Sequence, residues 1–314
     1  MSLEVKNIVK KYGEKVVVDN LSFTMENPGV YALLGTNGAG KTTTIRIMLG
    51  MLAKDGGAVL WNGKPLSAKE TSIGYLAEER GLYPKYTLMD QLLYFARLKG
   101  VPQIEAKKRI KYWAERLEVE EYLYPPKTNK KKKGAEKSKN ADQLSKGNQQ
   151  KIQLMSALLA EPQLLILDEP LSGLDPVNSE LFKSIIREEI AKEKFLIMSS
   201  HQMPTIEEFC QDITMLNRGK TVLQGDLNEI KKSYGRVNMN LKCEEDVHPI
   251  IEKLGLVIAA ETPDGIQCKV TGEEQATECL HALLDASYHI IRFELREPSL
   301  HELFIEKAGD SHDE

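Results

Sequence analysis

The sequence predicts an α/β protein followed by a smaller α+β domain, and three observations carry that expectation. Apolar runs rich in branched residues alternate with stretches of helical spacing across residues 1–224. That order produces a mostly parallel sheet with both faces covered. Within it, the buried-strand pattern Val30-Tyr31-Ala32-Leu33-Leu34 runs directly into a glycine-rich loop, Gly35-Thr36-Asn37-Gly38-Ala39-Gly40-Lys41-Thr42. Thr43 to Leu49 then follow at helical spacing. From about Gly225 the order becomes β-α-β-β-α-β, the ferredoxin-like split arrangement.

Taken in order, residues 2–8 and 15–24 read as strands, with Lys10-Lys11-Tyr12-Gly13 as a turn-like break between them. After the glycine-rich loop and its helix, Val59 to Lys64 holds an Asn-Gly hairpin signal, and Ser72 to Leu76 reads as a short strand. Residues 87–99 and 103–119 have helical periodicity punctuated by Pro102, so a helical subdomain is expected at about 80–160. A lysine-rich stretch, 127–139, lies inside it behind Pro125-Pro126. A helix then runs from Ser145 to Ala160, and Leu164 to Asp168 is a fully buried strand. A helix at 177–191, a buried strand at 195–199, a short helix, and strands near 213–216 and 221–223 complete the first domain. In the second, 225–314, strands are expected at 237–242, 256–260, 266–270 and 288–295, and helices at 246–254, 273–285 and 299–307.

Composition sets the outer limits. Of 314 residues, 41% are hydrophobic and 28% charged, a globular balance with enough apolar mass for two cores. The net charge of -4 gives no bulk attraction to nucleic acid, so none is expected as a partner. Cys210, Cys243, Cys268 and Cys279 are scattered without a C-x-x-C pair, which argues against a disulfide framework or a zinc site. The opening Met1-Ser2-Leu3-Glu4-Val5-Lys6 alternates like a strand and has no leader-type apolar segment, and no run is long enough to span a bilayer. Any work at a membrane is therefore expected from its cytoplasmic face, as a peripheral protein.

The glycine-rich loop fits the pattern G-x-x-x-x-G-K-[ST] in the strand–loop–helix context that gives the pattern meaning. Its glycines let backbone N–H groups converge, and the helix start adds positive potential, a cradle for a polyphosphate. Gly35, Asn37, Gly38, Ala39, Gly40, Lys41, Thr42 and Thr43 are the expected nucleotide contacts. Lys41 would reach the β- and γ-phosphates, and Thr42 would ligate Mg²⁺. A buried strand delivers Asp168 at its carboxyl end, where it would serve the Mg²⁺ hydration shell. Glu169 beside it is placed as general base for the attacking water.

With these two elements in place, the sequence resembles the ATP-binding subunit of ABC transporters over residues 1 to about 224. Leu144-Ser145-Lys146-Gly147-Asn148 resembles the LSGGQ signature, Ser172-Gly173-Leu174-Asp175 the D-loop, and His201 in Ser199-Ser200-His201 the switch histidine. Tyr12 matches the aromatic that stacks on adenine, and Glu78 occupies the Q-loop glutamine position. The resemblance implies a P-loop NTPase fold, ATP and Mg²⁺ as cofactors, and catalysis by Glu169, His201, Lys41 and Glu78. Glu78 would join Thr42 and Asp168 at the metal. It further implies a homodimer or heterodimer of ATPase subunits in which Ser145 and Gly147 serve the partner's ATP and Asp175 touches the facing P-loop. A polytopic membrane permease completes the assembly.

Two departures stand out. Glu78 puts a carboxylate where the family has a neutral amide, and Lys146 and Asn148 replace Gly and Gln in the signature. These choices, with Gly74 to Tyr83 and the tail Leu295-Arg296-Glu297-Pro298-Ser299-Leu300, resemble the ABC-2-type bacterial exporters, including sodium-extrusion and antibiotic-exporter types. The resemblance thus implies a motor for export. The other readings of the same chemistry are a soluble ABC ATPase acting on ribosomes or DNA, and a regulatory module that holds ATP without turnover. The lysine-rich stretch lies outside the resemblance. It reads either as a solvated like-charge block or as a contact with anionic lipid, worth about 1 kcal/mol per lysine at a membrane surface.

Overall fold

A computed structural model describes residues 1–68, 70–79, 81–124 and 138–309. Lys127 to Lys137 of the lysine-rich stretch, and the lipid contact expected of them, fall outside the described residues. The chain divides into two units: Met1–Gln202 with Phe209–Gln224, and Met203–Glu208 with Gly225–Glu314.

In the first unit, β1 (Leu3–Tyr12) and β2 (Lys15–Met25) pair antiparallel. β3 (Gly29–Gly35) leads into α1 (Lys41–Met48), and β4 (Gly56–Trp61), β5 (Lys64–Pro65) and β6 (Ile73–Leu76) follow. The helical insertion comprises α2 (Leu88–Leu98), α3 (Gln103–Arg116), the short α4 (Glu120–Leu123) and α5 (Lys146–Leu158). Then come β7 (Leu164–Asp168), α6 (Pro176–Ala191), β8 (Phe195–Ser200), β9 (Asp212–Asn217) and β10 (Lys220–Asp226); α7 (Met203–Phe209), between β8 and β9 in the chain, belongs to the second unit up to Glu208.

These strands form two sheets rather than one. A four-stranded sheet runs β2-β1-β4-β5, antiparallel throughout, and a six-stranded sheet runs β10-β9-β3-β8-β7-β6. The four pairings of the larger sheet from β9 to β6 are parallel. β7 and β8 are buried at every position, as strands covered on both faces must be. One apolar cluster joins the two sheets: Leu3, Val5, Leu21 and Phe23 on one side meet Ile45 and Met48 of α1 and Tyr31, Leu33, Ile166 and Ile197 of the other. This cluster seats α1, and with it the loop ahead of it, over the carboxyl ends of β3, β7 and β8. Tyr12 is the last residue of β1 rather than part of the break, and the turn falls after it.

The second unit contains α8 (Leu227–Tyr234), β11 (Asn238–Cys243), α9 (His248–Lys253), β12 (Val257–Thr262), β13 (Gly265–Lys269), α10 (Glu273–Asp285), β14 (Ile290–Arg296) and α11 (Leu300–Gly309). Its sheet order, β12-β13-β11-β14, is antiparallel at every pairing and is the ferredoxin-like order. Met239, Leu241, Ile251, Cys268, Ala276, Cys279 and Leu283 build its core.

Candidate functional site

The parallel register brings the carboxyl ends of three strands together: Leu34 lies opposite Ser200, and Asp168 opposite Ser199. Binding sites of open α/β sheets form at such ends. Gly35 ends β3 at φ 146, and a Cβ there would fall 2.4 Å from the Leu216 carbonyl oxygen. Gly40, at φ 110, precedes α1, and its Cβ would sit 2.8 Å from the Val17 carbonyl oxygen. Only glycine fits both the backbone shape and the space at these two positions. The loop therefore closes into a cradle, and the start of α1 faces a cleft of about 250 Å³.

Thr36 through Thr43 line this cleft, joined by Val17, Glu78 and Glu169. Lys41 is buried, and its Nζ donates to the carbonyls of Gly35 at 2.7 Å and Thr36 at 3.3 Å. The same Nζ stands 3.4 Å from Glu169 Oε1. His201 Nδ1 lies 2.9 Å from the other carboxylate oxygen of Glu169, Oε2. Glu169 thus sits between Lys41 and His201, on a backbone at φ 51 that costs a non-glycine residue about 1–3 kcal/mol. Its N–H is fixed by the Ser199 Oγ at 3.1 Å and the Ser199 carbonyl at 3.2 Å.

Asp168 is equally built in. Its Oδ1 accepts from the Ser199 hydroxyl and, at 3.3 Å, from the Thr42 hydroxyl. Burial pushes the Asp168 carboxyl above its ordinary range, and the Ser199 and Thr42 hydroxyls partly pull it back. Asp168 Oδ2 is buried without a hydrogen-bond partner among the described residues, as is Glu169 Oε1. Glu169 Oε1 still has the Lys41 ammonium as its ionic partner, whereas Asp168 Oδ2 has none among the described residues, and a buried carboxylate oxygen left so is costly and calls for an explanation. A hydroxyl and a carboxylate side by side, with one carboxylate oxygen left over, is a hard-oxygen donor set of the kind Mg²⁺ takes. The residues present fit that ion.

The structure therefore brings Lys41, Thr42, Asp168, Glu169, His201 and Glu78 to one place. Glu78 is exposed and on the cleft wall. Tyr12, Ser145, Gly147 and Asp175, also expected at the site, stand elsewhere. Tyr12 ends β1 with its ring 54% exposed and Lys10 Nζ 5.3 Å from the ring centroid. Ser145 caps α5, its hydroxyl accepting from the Asn148 N–H at 3.3 Å. Asp175 caps α6, accepting from the Asn178 N–H at 2.9 Å, and that hydrogen bond holds its carboxyl below the ordinary range. A Cβ on Gly147 would meet Leu174 and Asn178 at an ordinary 3.6 Å, so nothing among the described residues requires glycine there. Val17 and Ser199 are the site residues that the sequence reading missed. Ser199 meets Asp168 across two paired strands and the Val17 carbonyl packs against Gly40, long-range contacts that leave no local signal in the sequence.

Comparison with known proteins places these features. The family model for ABC transporters matches residues 18–172, and that for the DrrA1-3-like ATP-binding protein C-terminal domain matches residues 225–308. The chain is 42% identical over 308 residues to an uncharacterized ABC transporter ATP-binding protein, YhaQ, of Bacillus subtilis, covering 98% of each. It is 32% identical to the Nod factor export ATP-binding protein I of Sinorhizobium fredii, over 72% of this chain and 63% of that protein. A solved structure of the ATP binding subunit of an ABC transporter superposes with a TM-score of 0.65 at 28% identity, covering 74% of this chain and 93% of the other.

Proposed function

The chain belongs to the ATP-binding subunits of ABC transporters, on the ABC-2 exporter branch, and from that premise we propose that it is the hydrolysing motor of an exporter. The observation that carries this reading is the pairing of Glu169 with both Lys41 and His201 at the mouth of the phosphate cradle. With ATP bound, Lys41 gains the phosphates as its anionic partner in place of Glu169. Glu169 is then free to take a proton from the attacking water, while His201 orients the carboxylate and faces the γ-phosphate. Thr42 and Asp168 would hold Mg²⁺, which neutralises charge on the phosphate oxygens when bound.

The residues that stay away from the cleft complete the proposal. Ser145, Gly147 and Asp175 stand at or near helix starts and would serve the ATP of a second subunit, so closure of a dimer builds two whole sites. A groove of about 410 Å³ on the helical insertion, walled by Tyr83, Tyr86, Asp90 and Tyr94, offers the permease a docking surface. Among the described residues no helix is long and apolar enough to cross a membrane, so anchoring falls to that permease at the cytoplasmic face. Export as the direction rests on the branch and on the Nod factor export relative.

The test uses the Glu169→Gln variant, purified with ATP from detergent-solubilised membranes. Co-purification of a polytopic membrane protein is the expected result and identifies the route to the cargo. Ribosomal proteins or nucleic acid in its place would overturn the transport function while leaving the ATPase chemistry intact.

A further inference from the structure

Helix α5 carries three glutamines near its start, and their amides end in different places. Gln149 is buried, and its Nε2 donates to the carbonyls of Ala141 at 2.9 Å and Leu144 at 3.1 Å, so it secures the entry to its own helix. Gln150 and Gln153, three residues apart, share a helix face. Gln150 Nε2 donates to the Pro170 carbonyl at 2.7 Å, and Pro170 directly follows Glu169. Gln153 Nε2 donates to the Glu79 carbonyl at 3.2 Å, and Glu79 directly follows Glu78. One face of one helix thus holds the peptide next to each of the two glutamates that line the cleft.

We propose that Gln150 and Gln153 are positioning residues: they set the spacing of Glu169 and Glu78 across the γ-phosphate position and tie it to the signature at the head of the same helix. This inference rests on the reading of the chain as a dimeric ATPase. Neither glutamate sits in regular structure. Glu169 holds its φ of 51 because Ser199 grips the N–H on one side, and Gln150 grips the next carbonyl on the other. Among the described residues the Glu78 loop has fewer anchors. An ion pair from Arg46 to Glu79, 3.8 Å long, is largely exposed and therefore weak. Gln153 is the buried tether of that loop, and a Cβ on Gly81 would stand 3.5 Å from its Nε2, so the amide is packed against the loop as well as bonded to it.

The consequence is mechanical. A hydrogen bond tolerates little bending or stretching, and a helix moves as a rigid rod. When Ser145 and Gly147 engage a partner's ATP, any shift of α5 reaches both carbonyls at once. The occupancy of one site is thereby read at the two carboxylates of the other. Such coupling needs a continuous physical link between the sites, and the two amides supply its last step.

The experiment measures MgATP hydrolysis and, separately, ATP binding by the full-length protein. Gln150→Met and Gln153→Met keep the side-chain length and remove the donor, while Gln153→Lys restores a donor of similar reach. Each Met variant should lose kcat by about tenfold or more, since misplaced catalytic groups are costly even when intact. ATP affinity should stay within about threefold and the melting midpoint within about 4 °C, the scale of one lost hydrogen bond. Gln153→Lys should recover most of the rate. A Met variant with kcat within about twofold of wild type overturns the inference. So does a fall in kcat matched by loss of ATP affinity, or a Lys variant no better than Met. Should Gln153→Met fail to fold, the half-buried Gln150 carries the test. Hydrolysis by the wild type tests the functional reading, and the wild-type to Met ratio tests this inference alone.

Discussion

Two carboxylates, one in each unit, show opposite uses of a charged side chain. Glu169 in the first unit sits on a strained backbone and pairs Oε1 with Lys41 and Oε2 with His201, Oε1 having no hydrogen bond among the described residues. Glu302 in the second unit is saturated. Its Oε1 accepts from Gln267 at 2.7 Å and Arg296 at 3.0 Å. Its Oε2 accepts from Arg296 and the Ser299 hydroxyl at 2.8 Å, the Ser299 N–H at 2.7 Å and Asn238 at 3.2 Å. The loose end of that second network is Asn238 Oδ1, a neutral amide oxygen. A carboxylate whose donors are complete ties α11 to the sheet, whereas one left short of donors keeps the capacity to accept another. Deeper burial and a shorter set of hydrogen-bond donors together separate Glu169 from the Glu302 clamp.

The sharpest way to break that contrast is to neutralise each carboxylate in turn. Glu169→Gln should lower kcat by about 10²–10⁴-fold, the usual worth of a general base. ATP affinity should hold or tighten, because Lys41 loses its competing anion. Phosphate release and equilibrium nucleotide binding measure the two effects separately. A variant that still turns over near the wild-type rate would show that Glu169 is not the base.

Glu302→Ala should leave turnover unchanged and cost about 1–3 kcal/mol of stability, by stranding the donors of Arg296, Gln267 and Ser299. Trp61 and Trp113 both lie in the first unit, so tryptophan fluorescence and far-UV circular dichroism report different mixtures of the two units during urea unfolding. The dichroism midpoint should fall while the fluorescence midpoint stays. Equal movement of both would mean that the units unfold as one, and the contrast drawn above would lose its basis.

Acid sharpens the same point. Burial alone would raise the Glu302 carboxyl, but the Arg296 guanidinium, the Ser299 N–H and the Gln267 amide outweigh it and hold it down to about 2, against an ordinary 4.5. A carboxyl depressed on folding stabilises fully above its unfolded value. The stabilisation from Glu302 is therefore complete above about pH 4.5 and lost progressively as pH falls toward 2. Glu302→Gln should be less stable at neutral pH, with a flatter loss below pH 4.5. Parallel acid limbs for the two proteins would remove Glu302 from the account.

Legibility in the sequence followed the range of each signal. The cradle was readable because strand, glycines, Lys41 and Thr42 are contiguous. Asp168, Glu169 and His201 were readable because each follows a buried apolar run at its carboxyl end. The separate antiparallel sheet was not, since alternation along a strand does not say which strand pairs with which. The grip of Gln150 and Gln153 on two distant loops was equally hidden, because an amide on a helix looks the same whether it meets water or a carbonyl. Ser299-Leu300-His301-Glu302 did carry a local signal, a capping box in which each side chain bonds the other's N–H. The tail motif was nevertheless matched only by resemblance, and its physical basis emerged with Arg296 in place.

Glu78 is the intermediate case between Glu169 and Glu302: an exposed carboxylate on the cleft wall, fixed through its neighbour's carbonyl rather than through its own oxygens. A negative charge there attracts Mg²⁺ and repels the γ-phosphate, so its two effects on ATP turnover oppose each other. Glu78→Gln removes both while keeping the length of the side chain and its carbonyl oxygen. Turnover should be retained or rise, with more Mg²⁺ needed for half-maximal rate, and a magnesium titration of hydrolysis reads both. A loss beyond about tenfold, or about 1.4 kcal/mol in the barrier, would show that the carboxylate has work of its own beyond standing in for an amide. Glu78 would then join Glu169 among the groups held short of partners for the reaction.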